Sequence, residues 1–381
     1  MVLMLVGKTS LLDAFNFMSS MVLNPIGDGN SNTNKLNSKY QFKYTKFLFD
    51  SNSKNAPIDF EVYILMNNNI YQYGYSVDEN IISSEWLYLK GERGYTKVFE
   101  RDNGKISSNK SFKELNKYSD SNISDNVLFL SLVANIENNV HTTNVYNWFN
   151  NFVYLNLGNH IFEYLLEFTV NEALSSIISK KENSTQNLSD ATTNLKNEYL
   201  AFLKAIDTGI DDIYIKNNIS DTGEIDTELY TIHKTADNKS KMLPFEYESQ
   251  GTKKMFSLYA LFSKILKNGG VLFLDELDSK LHPLLVKYIL AMFHNPDINT
   301  GNAQLIYSTH DVTNLNKDVF RRDEIWFVEK DKDNISNLFS LSDYIDDNTN
   351  TKIRNDATYN KDYLTGRYGA IPVLKELNDF F

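Results

Sequence analysis

The spacing of apolar positions changes several times along the chain, and each change marks a different kind of element. In TSLLDAFNFM (9–18), Leu11, Leu12, Phe15 and Met18 share one helical face. The polar run NPIGDGNSNTNKLNS that follows reads as a loop. From about 39 to 100 the pattern shortens to YQFKYTKFLF, IDFEVYILM, NIYQYGYSV, SEWLYLK and YTKVFER. Gly, Asn and Asp separate these runs, which predicts an antiparallel meander. Helical spacing returns over roughly 126–180, and KENSTQNLSDATTN (181–194) reads as a mobile turn. Leu195, Tyr199, Phe202 and Ile206 then form one helical stripe, with Gly209 as its C-cap. A strand, DDIYIK, and a hairpin reaching about 247 come next. Beyond them, KKMFSLYALFSKILK, VLFLDE, PLLVKYILAMF, AQLIYSTH and DEIWFVEK alternate helix with buried strand. That alternation predicts a parallel α/β sheet.

The chain has 381 residues, 42% hydrophobic and 23% charged, which allows one large domain with insertions or two smaller ones. A net charge of -11 argues against a surface devoted to nucleic acid, while leaving room for a local basic groove. There is no cysteine, so disulfides, thiolate catalysis and Cys-ligated zinc are excluded. The six histidines lack metal-site spacing. MVLMLV is too short to span a bilayer and has no charged lead, so a cytoplasmic protein without a membrane segment is expected.

Four short stretches carry candidate chemistry. In NGGVLFLDELDSKLHP, Asp275 and Glu276 stand at the carboxyl end of an apolar strand, the edge of an open α/β sheet where ligands bind. One carboxylate there could hold magnesium and the other could orient an attacking water; a solvated acidic turn is the plainer reading. AQLIYSTHD ends a second strand at His310, placed to hydrogen-bond a terminal phosphate or simply to sit in a surface loop. Ser249-Gln250-Gly251 opens a helix whose apolar face is Met255, Phe256, Tyr259 and Phe262. Its N-terminus is either an anion site or an ordinary cap. Gly7-Lys8-Thr9, with Ser10 beside it, looks like the end of a phosphate-binding loop without its first glycine.

The order of these features carries more than any one of them. The stretch 245–330 resembles AAA-family ATPases of abortive-infection and anti-phage systems with ABC/SMC-type heads, the AAA15 or RloA-like group. The likeness is densest from ESQGTKKMF through STHD, continues through RRDEIWFVEKD, and ends with YLTGRYGAIPVL. The stretch with SEWLYLK and FERDNG is similar to the family's β arm. The resemblance implies an α/β P-loop head with an antiparallel arm (about 39–100) and a helical insertion. It divides the chain into an N-terminal lobe 1–140, an insertion 141–225 and a C-terminal lobe 226–381.

It also implies ATP and Mg2+ as ligands. Gly7, Lys8, Thr9 and Ser10 would belong to Walker A, with Thr9 and Asp275 on the metal. Glu276 would be the catalytic base, Asp278 would lie in the D-loop, and His310 would be the switch histidine. Ser249, Gln250 and Gly251 would form a signature acting across a homodimer, or higher oligomer, on the partner's nucleotide. No role attaches to Arg367 of the C-terminal motif. The departure is at the start: the first strand and part of the loop are absent by this reading, and Val2–Val6 would crowd the phosphates. Two functions follow: an ATP-hydrolysing switch that gates an effector protein, or a nucleotide-deficient scaffold that holds a toxin or nuclease. A self-contained nuclease has less support, because no extra acidic domain follows the core.

Overall fold

The computed structural model describes residues 2–4, 8–24, 46–50, 53–78, 81–119, 121, 123–158, 187–207, 209–219, 225–346, 351–352 and 358–371. Its elements begin with β1 (Val2–Met4), α1 (Lys8–Leu23), β2 (Ile58–Met66), β3 (Asn69–Asp78), β4 (Ile81–Gly91), β5 (Gly94–Asp102) and β6 (Lys105–Ser108). Next come α2 (Lys113–Asn116), α3 (Phe129–Val133), α4 (Val140–Asn150), β7 (Phe152–Asn156), α5 (Asn187–Ile206), β8 (Ile210–Ile219), β9 (Ile225–Lys234) and β10 (Ser240–Pro244). The remainder is α6 (Gln250–Asn268), β11 (Val271–Asp275), α7 (Pro283–His294), β12 (Gln304–Thr309), β13 (Ile325–Lys330), β14 (Ser336–Ser340), β15 (Ile345–Asp346), β16 (Thr351–Lys352) and α8 (Tyr359–Leu364). Among the described residues, no helix is long and apolar enough to cross a membrane.

The chain forms two compact units. A sheet unit comprises Met1–Leu5, Leu155–Phe327 and Phe339–Phe381; an arm unit comprises Val6–Tyr154 and Val328–Leu338.

One six-stranded sheet has the strand order β14-β13-β1-β12-β11-β7. β11, β12, β1 and β13 run parallel. Every residue of β11 is buried, as expected of a strand covered on both faces, where a continuous apolar run replaces alternation. The predicted face of α6 packs inward, with Met255, Phe256 and Phe262 at most 2% exposed. Tyr199, Leu203, Ile210, Ile213, Leu229 and Phe256 form a second core, between α5 and the antiparallel sheet β10-β9-β8.

In the arm unit, β2 to β6 form the predicted antiparallel meander. Asn67 and Asn68 turn β2 into β3 with φ of 49° and 61°, the left-handed pair that a tight two-residue hairpin demands. Tyr71, Tyr73 and Tyr75 lie inside a core shared with Met18 and Val22 of α1 and Phe149 of α4.

Five expectations are corrected. The first strand is present: Val2–Met4 pairs with both β12 and β13 in the middle of the parallel sheet. Backbone pairing on both sides makes the run that would crowd a phosphate loop a central strand instead. Phe152–Asn156 is strand where helical spacing was expected; a five-residue aromatic and branched run is ambiguous in period until it finds a neighbour. Residues 187–194 belong to α5 rather than to a turn. Gly209 does not take the left-handed C-cap conformation; its N–H donates instead to Asp207 Oδ1 at 3.1 Å. Of the first predicted arm run, 46–49 is not strand, and 40–45 lies outside the described residues, as do Gly7 and residues 159–180.

Candidate functional site

The ends of the parallel strands decide what gathers in the sheet unit. β11 and β12 are in register from Val271↔Gln304 to Leu274↔Tyr307, so the next pair sets Asp275 beside Ser308. Both are buried, at 1% and 0% exposure. The Ser308 hydroxyl donates to Asp275 Oδ1 and accepts the Glu276 N–H at 2.9 Å. The Asn156 amide, from the end of β7, donates to Asp275 Oδ2 at 3.2 Å, and the Leu157 N–H donates to the Asp275 carbonyl at 2.9 Å. Both carboxylate oxygens are thus aimed by neutral donors.

Glu276 follows with φ of 55°, a left-handed conformation that costs a residue with a side chain about 1 kcal/mol or more. Its carboxylate is half-buried against Gly158: a Cβ at that glycine would fall 1.9 Å from Glu276 Oε2. The chain then turns through Asp278 and Lys280, the latter again left-handed at φ 58°. The His310 N–H lies 3.4 and 3.3 Å from the two Asp278 carboxylate oxygens, and His310 is exposed. Beneath the turn, burial pushes the Tyr307 phenol well up, with the charges of Asp278 and Asp311 adding to it.

Ser249 is the N-cap of α6. Its hydroxyl accepts the Thr252 N–H at 3.0 Å and shares a hydrogen bond with the Thr252 hydroxyl at 2.7 Å. Ser249 and Gln250 are exposed and Gly251 is half-buried. The first turns of α6 meet the turn after β11: the buried Lys254 ammonium donates to the Ser279 carbonyl, and a Cβ on Gly251 would lie 4.0 Å from the Lys280 carbonyl. One unit therefore assembles Asp275, Glu276, Asp278, His310 and the Ser249 helix.

Lys8, Thr9 and Ser10 belong to the arm unit. They form the first turn of α1, with Lys8 5% exposed and Thr9 and Ser10 exposed. Ser308, Asn156 and Gly158 were not legible as site residues in the sequence. The one signal for Ser308 was its place immediately after the apolar part of β12.

A family profile described as "AAA domain, putative AbiEii toxin, Type IV TA system" matches residues 6–316. The chain belongs to this AAA family. The family is one of nucleotide-binding ATPases of the AAA/ABC type, and in an open α/β sheet ligands bind outside the carboxyl ends of the strands. Two solved structures are similar at low identity. One is the SmcHead bound to the C-winged helix domain of ScpA, at 13% identity over 89% of each chain, with a TM-score of 0.41. The other is the Smc head domain with an extended coiled coil bound to the C-terminal domain of ScpA, derived from Pyrococcus furiosus. It has 12% identity over 89% of each chain and a TM-score of 0.32. No curated protein matches the chain.

Proposed function

We propose that this AAA-family chain is an ATP-hydrolysing switch of an anti-phage, abortive-infection-like system, related to the AAA15 or RloA-like group, whose nucleotide state gates a partner effector. The observation that carries the enzymatic part is the pair Asp275–Glu276, one acid with both oxygens oriented and the next held in a left-handed backbone by Ser308. The family description, which speaks of a toxin–antitoxin system, supports the setting.

The residues suit magnesium and a nucleotide. Asp275 offers a hard carboxylate oxygen and Thr9 a hydroxyl, and magnesium is usually held by one or two carboxylates together with phosphate oxygens. Bound magnesium would neutralise charge that develops on the transferring phosphoryl group. Lys8, at the start of α1, would attract the β- and γ-phosphates, reinforced by the helix N-terminus. Glu276 would accept the proton of the attacking water, and His310 would sense the terminal phosphate. Ser249, Gln250 and Gly251 would reach the nucleotide of a second copy, making the active form a homodimer or larger.

A Glu276→Gln variant tests the assignment: nucleotide binding should persist while hydrolysis is lost. Turnover at the parent rate would rule out Glu276 as the base. The second reading, a scaffold that holds a toxin or nuclease, is favoured by one feature. The position five residues before Gly7, where a glycine-rich phosphate loop has its first glycine, is Val2. It predicts no hydrolysis by the parent protein itself.

A further inference from the structure

One buried stripe runs along α6 at four-residue intervals: Lys254, Leu258, Phe262 and Leu266. Three of the four are apolar, as a core-facing stripe requires. Lys254 is the exception, only 5% exposed at the head of the stripe. An apolar side chain would pack there without the desolvation that a buried charge suffers. The residue is therefore explained by what its ammonium holds and not by the core. It donates to the Ser279 carbonyl.

Ser279 lies in the turn that leaves β11 through the acids. Glu276, at φ 55°, and Lys280, at φ 58°, are both left-handed there. Such residues keep their conformation only where the surroundings over-determine it. β12 holds the front of the turn. The Ser308 hydroxyl accepts the Glu276 N–H at 2.9 Å, and the Ser308 carbonyl accepts the Leu277 N–H at 3.1 Å. Within the turn, the Ser279 N–H donates to the Glu276 carbonyl at 2.9 Å. The Ser279 carbonyl is taken by Lys254, so the turn is held from β12 at its front and from α6 at its back.

α6 is itself anchored where it starts. The Thr252 hydroxyl, hydrogen-bonded to Ser249, donates to Asp207 Oδ2 at 3.1 Å, just past α5. Ser249 and Lys254 are about one and a half helical turns apart on this anchored segment. The lysine thus ties the exposed cap to the acids.

We propose that Lys254 is a positioning residue for hydrolysis: through the Ser279 carbonyl it fixes the turn that sets the Glu276 carboxylate, so that the acids follow the position of α6. The inference rests on the reading of Glu276 as the base. Lys254 acts on the backbone between the two left-handed residues and not on the nucleotide, so turnover depends on it and affinity does not.

Hydrogen exchange read by mass spectrometry on the full chain tests the link without any turnover. Lys254→Met keeps an apolar stem on the stripe and removes the ammonium. Amides of 276–281 should exchange at least about tenfold faster in this variant, with β11 and β12 unchanged. Steady-state kinetics and calorimetry with magnesium and a non-hydrolysable ATP analogue supply the second reading. The kcat should fall at least about tenfold, while KM and the analogue's Kd stay within about twofold. Lys254→Arg, which returns a cationic donor, should recover most of the loss in both measurements. Unchanged exchange over 276–281 in Lys254→Met overturns the proposal. So does faster exchange spread through α6, β11 and β12, which marks a purely structural residue, a loss carried by KM and Kd instead of kcat, or an arginine variant no better than the methionine one. A parent that does not hydrolyse ATP removes the hydrolase reading, whereas faster exchange confined to 276–281 still supports Lys254 as the residue that fixes the turn.

Discussion

Ser308 holds Asp275. The serine hydroxyl donates to Asp275 Oδ1 from the neighbouring strand and, with its lone pair, takes up the Glu276 N–H at 2.9 Å. One buried hydroxyl thereby sets the carboxylate of the first acid and the backbone of the second. Removing it should disturb both. Ser308→Ala is expected to lower stability by about 1.5–3 kcal/mol, the scale of a lost hydrogen bond to a charged group. Hydrolysis should fall at least roughly tenfold, since misplacement at a reacting centre is costly. Urea denaturation and phosphate release measure the two effects; a variant unchanged in both would deny Ser308 this role.

Gly158 leaves the space that the Glu276 carboxylate fills. An alanine Cβ there would sit 1.9 Å from Glu276 Oε2 and 2.7 Å from its Cδ, the far end of a flexible side chain. The glutamate can swing away, so Gly158→Ala should change stability by no more than about 0.5 kcal/mol while cutting turnover. Thermal melts and steady-state rates read this split. Wild-type turnover with an intact fold would show that the carboxylate's observed position is not the working one.

Ser249 lies exposed at the N-terminus of α6, with its hydroxyl capping Thr252. If it completes a partner's nucleotide site, Ser249→Arg and Lys8→Ala proteins should complement. A mixed dimer retains one composite site of two, so the mixture should recover activity that neither variant has alone. Sedimentation must show that each variant still associates. Association without recovered activity would exclude the trans arrangement.

Glu85 is buried in the arm at 0% exposure. It accepts the N–H groups of Phe129 at 2.5 Å and Leu130 at 3.0 Å and the Tyr73 hydroxyl at 3.1 Å. Burial outweighs these donors and the nearby Arg101 charge, and pushes its carboxyl up to about 7. The folded state thus holds this proton more tightly than the unfolded chain. The contribution is complete below the unfolded value near 4.5 and is lost as pH rises towards about 7. The change should be on the order of 3 kcal/mol. Denaturation of parent and Glu85→Gln at pH 5 and pH 8 should show a larger loss in the parent; identical pH dependence would contradict it.

What the sequence determined by itself was local. Period-two runs from 58 to 101 specified the arm meander, because each strand has one face to bury. The stripe Met255, Phe256, Phe262 specified which side of α6 turns inward, and the apolar run ending in Asp275–Glu276 marked the acidic strand end. Tertiary structure decided what lies next to those acids. Asn156 is 119 residues from Asp275 in the chain and Ser308 is 33. Only strand order and register bring them to the same carboxylate, and neither can be read from the residues' own neighbours. The same holds for Val2–Met4, whose side chains read locally as an obstruction. Slotted between β12 and β13, they form a central strand, because pairing on both sides satisfies backbone groups that a loop would have to leave to a ligand.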